Sequence, residues 1–136
     1  MQRGSKRYVA VVEDDDSVAR AFARLLRSAG YEPITYHSAE AFLGDDKHPR
    51  FDCLVLDFQL QGISGLELAR RLAAVNDPTP VLLLTARDDP DDRAAAQAAG
   101  CAGYFRKTDM GAEILDWIRD AAHRPTMHLR SPNPSP

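Results

Sequence analysis

Five short apolar runs alternate along the sequence with five segments of helical periodicity. The runs are 8–12, 31–36, 53–57, 81–84 and 102–105, and helical segments separate and follow them. Because no two runs are adjacent, the strands cannot be joined by hairpins, and each pair needs a crossover through a helix. The alternation therefore predicts an α/β fold, with a parallel sheet covered by helices on both faces.

Two of the elements carry further signals. Pro33 lies inside the second run, and since proline cannot donate to a strand ladder, we expect an edge strand. In the fourth helical segment Asp89 can act as the N-cap and Pro90 can take the first helical position. The alanines that follow, up to Gly100, favour a helix but offer little apolar area for packing. We expect this helix to form readily and to pack weakly.

Composition limits the class of protein. The 136 residues suit a single domain, and a net charge of −3 with a pI of about 5.8 argues against a general nucleic-acid-binding surface. No apolar run is long enough to cross a membrane or to form a signal peptide. Cys53 and Cys101 lack metal or redox spacing, so we expect buried free thiols and a cytoplasmic location. We assign 1–6 to a basic tail, 7–124 to the folded domain and 125–136 to a Pro/Ser-rich linker or disordered tail.

Polar residues stand at the ends of four of the five predicted strands. They are Glu13 and Asp14 after the first strand, Asp57 at the end of the third, Thr85 after the fourth and Lys107 after the fifth. Parallel strands end on one edge of the sheet, and open α/β sheets bind their ligands at that edge. We therefore expect these side chains to lie close together around Asp57.

The combination of residue types indicates a chemistry. Three neighbouring carboxylates repel one another, and oxygen ligands without His or Cys favour Mg²⁺. A lysine, a threonine and the small Ala86 beside them suit an incoming phosphoryl group, which points to phosphoryl transfer onto Asp57. Any one of these residues alone is more often a helix cap, as we expect for Asp15 and Asp16, or a surface charge. The prediction depends on the whole set.

Several motifs extend this pattern. They are Val11-Val12-Glu13-Asp14-Asp15, Leu54-Val55-Leu56-Asp57, Gly62-Ile63-Ser64-Gly65-Leu66-Glu67-Leu68, Leu83-Leu84-Thr85-Ala86 and Gly103-Tyr104-Phe105-Arg106-Lys107. Together they resemble the receiver domain of response regulators in two-component signalling, over residues 7–124. The resemblance implies a flavodoxin-like three-layer sandwich with five helices and a parallel sheet in the order 2-1-3-4-5.

The resemblance also implies roles for individual residues. Asp57 would accept a phosphoryl group from a sensor histidine kinase or a phosphotransfer protein, without the domain being an enzyme in the usual sense. The metal ligands would be Glu13, Asp14, Asp57 and the backbone carbonyl of Gln59, holding Mg²⁺. Thr85, Ala86 and Lys107 would contact the phosphoryl group, Thr85 and Tyr104 would form the switch, and Gln59 and Arg87 would tune dephosphorylation.

Signalling would follow from these roles. The resemblance implies a readout face built from the fourth helix, fifth strand and fifth helix. This face would signal to a downstream protein or a C-terminal output domain, and could support a phosphorylation-dependent dimer. The domain itself would make no direct contact with nucleic acid or with a membrane.

The sequence departs from the family pattern at three positions. Thr108 replaces the usual proline after Lys107, and because a non-proline cis bond costs about 3 kcal/mol we expect a trans linkage and a different loop. Gln61 stands where proline is common, which loosens the loop after Asp57. Glu13 replaces an aspartate and keeps its charge.

Other functions remain open at this point. A phosphorylation-independent pseudo-receiver, acting only as a protein-interaction module, is motivated by Thr108. A hydrolase of the dehalogenase type would use an aspartyl-phosphate but typically has a second aspartate two residues after the nucleophile, where this chain has Gln59. Tyr104 has a simpler interpretation too, as half-buried packing at the end of a short strand.

Overall fold

The computed structural model describes residues 6–109 and 111–123, and within them five strands alternate with five helices. The strands are β1 (Tyr8–Val12), β2 (Glu32–Tyr36), β3 (Phe51–Asp57), β4 (Val81–Thr85) and β5 (Gly103–Arg106). The helices are α1 (Asp16–Ser28), α2 (Ala39–Gly44), α3 (Gly65–Ala74), α4 (Pro90–Ala98) and α5 (Ala112–His123), with a 3₁₀ turn at Lys107–Asp109. The predicted linker or tail at 125–136, and all but the last residue of the basic tail, lie outside the described residues.

All four strand pairings are parallel, and the sheet order is β2-β1-β3-β4-β5. This is the flavodoxin-like order that the resemblance implies. β2 lies at the edge of the sheet, as Pro33 within it predicts. β1 and β3 are neighbours in this order, so Glu13, which follows β1, and Asp57, which ends β3, meet at the point where the strand order reverses.

Helices cover the two faces of the sheet and create two apolar layers. Because side chains alternate along a strand, β3 contributes Leu54 and Leu56 to one layer and Cys53 and Val55 to the other. The first layer also contains residues of α2, α3 and α4: Ala39, Phe42, Leu68, Ala69 and Ala96. The second contains residues of α1 and α5: Phe22, Leu26, Ile114 and Ile118. The three-layer sandwich is therefore confirmed.

The fourth helix is the least firmly packed of the longer helices. Within α4 only Ala96 is buried, whereas α1 buries Phe22 and Leu26 among others. Each large apolar side chain contributes about 1.5–3 kcal/mol on burial, and a single methyl group contributes far less. The prediction of a weakly packed fourth helix is confirmed by this difference.

Polar caps start the helices at the carboxyl end of the sheet. The cap of α1 is Asp15, whose carboxylate accepts hydrogen bonds from the backbone N–H groups of Ser17 and Val18. Asp16 is instead the first residue of the helix. Asp89 caps α4, with Pro90 directly after it, as predicted.

Candidate functional site

Two buried carboxylates lie at the ends of neighbouring central strands. Asp57 is the last residue of β3 and is only 4% exposed, and Glu13 directly follows β1 and is 2% exposed. The loop at Glu13 is fixed to the sheet because its backbone N–H donates to the Tyr36 carbonyl at 2.9 Å. Burying an ionised carboxylate without a partner is costly, so both groups need a counter-charge.

Lys107 supplies that charge. Its Nζ atom donates to Asp57 Oδ2 at 3.1 Å and to Glu13 Oε2 at 3.3 Å. The residue lies in the 3₁₀ turn after β5, and no cis peptide bond occurs in the described part of the chain, so Lys107–Thr108 is trans as predicted. The replacement of proline by Thr108 therefore leaves the lysine in contact with both acids.

A third carboxylate completes an acidic cluster. Glu13, Asp14 and Asp57 each offer one oxygen, and these oxygens lie within 4.8 Å of one another. Asp14 is exposed, so the cluster is open to solvent on its side. Glu13 Oε1 is buried and lies 3.1 Å from Lys107 Nζ, but it accepts no hydrogen bond from the residues that the structure describes. A cluster of carboxylates with a spare buried oxygen fits a hard divalent cation such as Mg²⁺.

The proximity of the charges alters the ionisation of the cluster. Burial raises the pKa of Glu13 to about 7. The neighbouring Asp57 carboxylate also raises this pKa, whereas the hydrogen bond from the Asp15 backbone N–H lowers it. Burial lowers the pKa of Lys107, but its bonds to Glu13 and Asp57 outweigh this and raise it above the usual value. The lysine is thus charged at neutral pH, and a further cation in the cluster would favour ionised Glu13.

Thr85 ends β4 at the same edge of the sheet and is buried. Its hydroxyl donates to the Arg87 carbonyl at 2.8 Å, and the Arg87 backbone N–H reaches the same hydroxyl at 3.4 Å. Ala86 and the Arg87 side chain are exposed beside it. The Thr85 hydroxyl is therefore bonded within its own loop, and it must leave the Arg87 carbonyl before it can donate to a group on Asp57.

Tyr104 lies half-buried on β5 between two neighbours. Its ring meets the Phe58 ring edge to face, with 6.4 Å between the ring centroids. The guanidinium of Arg93, a residue of α4, lies 4.8 Å from the centroid of the Tyr104 ring. Arg93 also pairs with Asp88 at 3.0 Å, and the buried Tyr104 hydroxyl has no hydrogen-bond partner within residues 6–109 and 111–123. Sequence reasoning missed Arg93, because an arginine on an exposed helix face gives no signal of its own.

The loop after Asp57 begins close to the acidic cluster. The Phe58 backbone N–H donates to the Leu84 carbonyl at 2.7 Å, and that of Gln59 donates to Asp57 Oδ1 at 3.1 Å. At the far end of the loop, a side chain on Gly65 would collide with the Asp57 carbonyl oxygen. These contacts place the Gln59 backbone next to Asp57.

Residues 9–119 match the family of the response regulator receiver domain, a span that includes all the strand-end residues described above. The chain belongs to this family. Receiver domains are signalling modules of two-component systems rather than enzymes in the usual sense, and the family assigned from the sequence motifs is confirmed. None of the helices among the described residues has the length and apolar character needed to span a membrane.

Individual relatives agree with the assignment. The receiver domain is 33% identical to nodulation protein W of Bradyrhizobium diazoefficiens, over 90% of this chain and 54% of that protein. It is 32% identical to response regulator protein TmoT of Ectopseudomonas mendocina, over 83% of this chain and 51% of that one. The chain thus spans about half the length of these curated relatives. The structure of the Vibrio cholerae chemotaxis protein CheY4 matches with a TM-score of 0.76 and 25% identity, covering 86% of this chain and 99% of that one.

Proposed function

We propose that this receiver domain accepts a phosphoryl group on Asp57, from the phosphohistidine of a sensor kinase or a phosphotransfer protein. The observation that carries the proposal is the contact of Lys107 Nζ with Asp57 Oδ2 at 3.1 Å, beside the acidic cluster. A buried carboxylate with a lysine on one oxygen and two further acids nearby suits an acceptor of phosphate more than a structural ion pair.

The reaction itself needs little covalent chemistry from the protein. A carboxylate oxygen of Asp57 attacks phosphorus, the phosphorus–nitrogen bond of the donor breaks, and its electron pair stays on the imidazole. Catalysis then consists of positioning and of neutralising the phosphoryl oxygens. Lys107 is charged and already in place for that task, and the small Ala86 leaves space beside it.

Glu13, Asp14, Asp57 and the Gln59 backbone carbonyl would hold Mg²⁺ in this proposal. When bound, the ion supplies positive charge to the phosphoryl oxygens and to the crowded carboxylates. The backbones of both Glu13 and Asp57 are fixed at the sheet edge, Asp57 as the last residue of β3 and Glu13 through its bond to the Tyr36 carbonyl. The exposure of Asp14 gives the ion a route from solvent.

Signalling would begin at Thr85. Its hydroxyl would exchange the Arg87 carbonyl for a phosphoryl oxygen, and the movement of the loop would reach α4 and Tyr104. The weak packing of α4 supports a change on the face made by α4, β5 and α5. Gln59 and Arg87, exposed beside the site, would set how fast water removes the phosphoryl group, which the domain itself assists.

The proposed unit comprises residues 7–124, with 125–136 as a linker or tail. Its partners would be the kinase or phosphotransfer protein on one side, and a downstream protein or a C-terminal output domain on the other. A phosphorylation-dependent dimer through the α4–β5–α5 face is part of the same proposal. A cytoplasmic location stays a prediction from the sequence.

The test is covalent labelling of the full chain by a small phosphodonor such as acetyl phosphate, followed by intact mass spectrometry. We expect one phosphoryl group on the wild type with millimolar Mg²⁺, and none after Asp57→Asn or with excess chelator. Asp52→Asn, which removes a carboxylate elsewhere on β3, is the matched control and should label normally. A wild type that stays unlabelled while an established receiver domain reacts would contradict the proposal.

A further inference from the structure

A carboxylate outside the acidic cluster is bonded to the loop that follows Asp57. Glu40 is an exposed residue in the first turn of α2, and its Oε2 atom accepts a hydrogen bond of 3.0 Å from the backbone N–H of Ile63. The two residues are 23 positions apart. The bond therefore joins a helix on one side of the sheet to the loop between β3 and α3.

Glu40 also lies against the neighbouring residue of this loop. Gly62 has a φ angle of +76°, and a Cβ atom added there would lie 2.5 Å from Glu40 Oε2. Glycine is favoured at position 62 by its backbone conformation. Glu40 thus bonds Ile63 and lies close to the residue before it.

The far end of the loop is also held, because the Gly65 backbone N–H donates to the Phe58 carbonyl at 3.3 Å, and the Glu40 bond acts between that point and Gln59. The near half is held at Phe58 and Gln59 by bonds to Leu84 and Asp57. Gln61 is exposed and lacks the fixed φ angle that a proline would give at this position. The hydrogen bond between Glu40 and Ile63 therefore restrains the loop in place of the fixed φ angle that a proline at position 61 would give.

The charge of Glu40 strengthens the contact. The Ile63 backbone N–H lowers the pKa of Glu40, which is a sign that it bonds the ionised form. A bond from a backbone N–H to an ionised carboxylate is stronger than one to a neutral acceptor. At neutral pH the loop is held by an ionised side chain.

We propose that Glu40 is a positioning residue for the metal site. Through its bond to Ile63 it would hold the loop so that the Gln59 backbone, whose N–H donates to Asp57 Oδ1, stays beside the acidic cluster. The inference rests on the proposed function, because it assumes that the Gln59 carbonyl is a ligand. Groups that orient metal ligands without touching the metal commonly change metal affinity by about tenfold or more when removed.

The test measures Mg²⁺ binding to the full chain by isothermal titration calorimetry for the wild type, Glu40→Ala, Glu40→Gln and Glu113→Ala. We expect the Kd to rise about tenfold in Glu40→Ala. It should rise much less in Glu40→Gln, whose amide oxygen can still accept the Ile63 bond. Glu113 is an exposed acid in the first turn of α5, so Glu113→Ala removes an equivalent helix charge and should bind as the wild type does.

A second readout needs no metal. Hydrogen exchange of the Ile63 amide in the Mg²⁺-free protein should accelerate in Glu40→Ala and accelerate less in Glu40→Gln, which keeps a weaker, neutral acceptor. Wild-type Mg²⁺ affinity in Glu40→Ala would overturn the inference, and so would equal weakening in Glu40→Ala and Glu40→Gln, which would indicate a charge effect. Should Glu40→Ala fold poorly, Glu40→Met takes its place, because it keeps the length and helix propensity of the side chain but has no oxygen to accept the Ile63 bond; wild-type Mg²⁺ affinity in that variant would overturn the inference.

The same data separate this inference from the proposed function. A wild type that binds Mg²⁺ and is labelled on Asp57, with no effect of Glu40→Ala on binding, refutes the role of Glu40 alone. A wild type that binds no Mg²⁺ at millimolar concentration refutes the metal site and with it both proposals.

Discussion

Lys107 Nζ lies 3.1 Å from Asp57 Oδ2, and the same nitrogen reaches Glu13, so one ammonium group serves two buried carboxylates. The two acids come from neighbouring strands and the lysine comes from the turn after β5. Three strand ends are thus connected through a single side chain. The first prediction concerns what happens when that side chain is removed.

Lys107→Ala should destabilise the Mg²⁺-free protein by about 3 kcal/mol, because two buried acidic groups then face each other without a counter-charge. Added Mg²⁺ should recover much of this loss by taking the place of the ammonium group. Urea unfolding with and without Mg²⁺ measures both effects. Lys47→Ala, at an exposed loop position, is the control and should show neither. A stability of Lys107→Ala equal to the wild type would argue against the ion-pair account.

Gly65→Ala should destabilise the fold by about 1–3 kcal/mol, because the new methyl group meets the Asp57 carbonyl oxygen and a Leu83 methyl group. The Asp57 backbone would have to move, so labelling of Asp57 should fall as well. Gly44→Ala offers a matched control, since nothing lies within 4 Å of an added Cβ atom there. Equal unfolding midpoints for the two variants would contradict the prediction.

The contact between Arg93 and Tyr104 should be measurable by a double-mutant cycle with Arg93→Ala and Tyr104→Leu. A guanidinium over an aromatic ring at a half-exposed site contributes about 0.5–1 kcal/mol, so we expect a coupling energy of that size. Arg70→Ala paired with Tyr104→Leu should be additive, because Arg70 interacts with Glu67 on α3 instead. Additive effects in the Arg93 cycle as well would mean that the ring and the cation do not stabilise each other.

A pH effect should come from Asp45. The Tyr36 hydroxyl donates to Asp45 Oδ2 at 2.7 Å, and this bond lowers the pKa of Asp45 in the folded protein. A carboxyl whose pKa is lower in the folded than in the unfolded protein stabilises the fold at pH values above its unfolded-state pKa, which is near about 4. This stability is lost as the pH falls through the folded-state pKa. The Tm difference between wild type and Asp45→Asn should therefore be largest near neutral pH and shrink on acidification below about pH 4. The same substitution made in Tyr36→Phe, which lacks the hydroxyl donor, should give a difference that changes less with pH.

The fold and the edge that carries the site could be predicted because they depend on local patterns. Apolar runs that stop at polar residues define the strands, and parallel pairing then brings Glu13, Asp57 and Lys107 to one edge. Pro33 correctly predicted the edge position of β2, and Pro90 correctly predicted the start of α4, because proline restricts the backbone in any context. Of Asp15 and Asp16, which were both expected to act as helix caps, only Asp15 caps α1, since three consecutive aspartates compete for the cap and only the backbone turn selects among them.

What the sequence could not predict are contacts between distant side chains. The direction of the Thr85 hydroxyl depends on the local turn at Arg87, and Glu40 and Arg93 stand out only once their partners on another element are known. In the loop after Asp57, Gln61 predicts a loose backbone. The hydrogen bond that restrains this loop comes from Glu40, which lies on α2, a helix that precedes β3 in the chain.

The packing of α4 has a consequence for how the domain can move. A helix that withdraws from a core leaves behind the volume of its buried side chains, and the cost rises with that volume. Withdrawal of α1 would leave space the size of a phenylalanine and a leucine, whereas displacement of α4 itself vacates a space no larger than the methyl group of Ala96. The molecule can therefore shift this helix without leaving a large void in its interior.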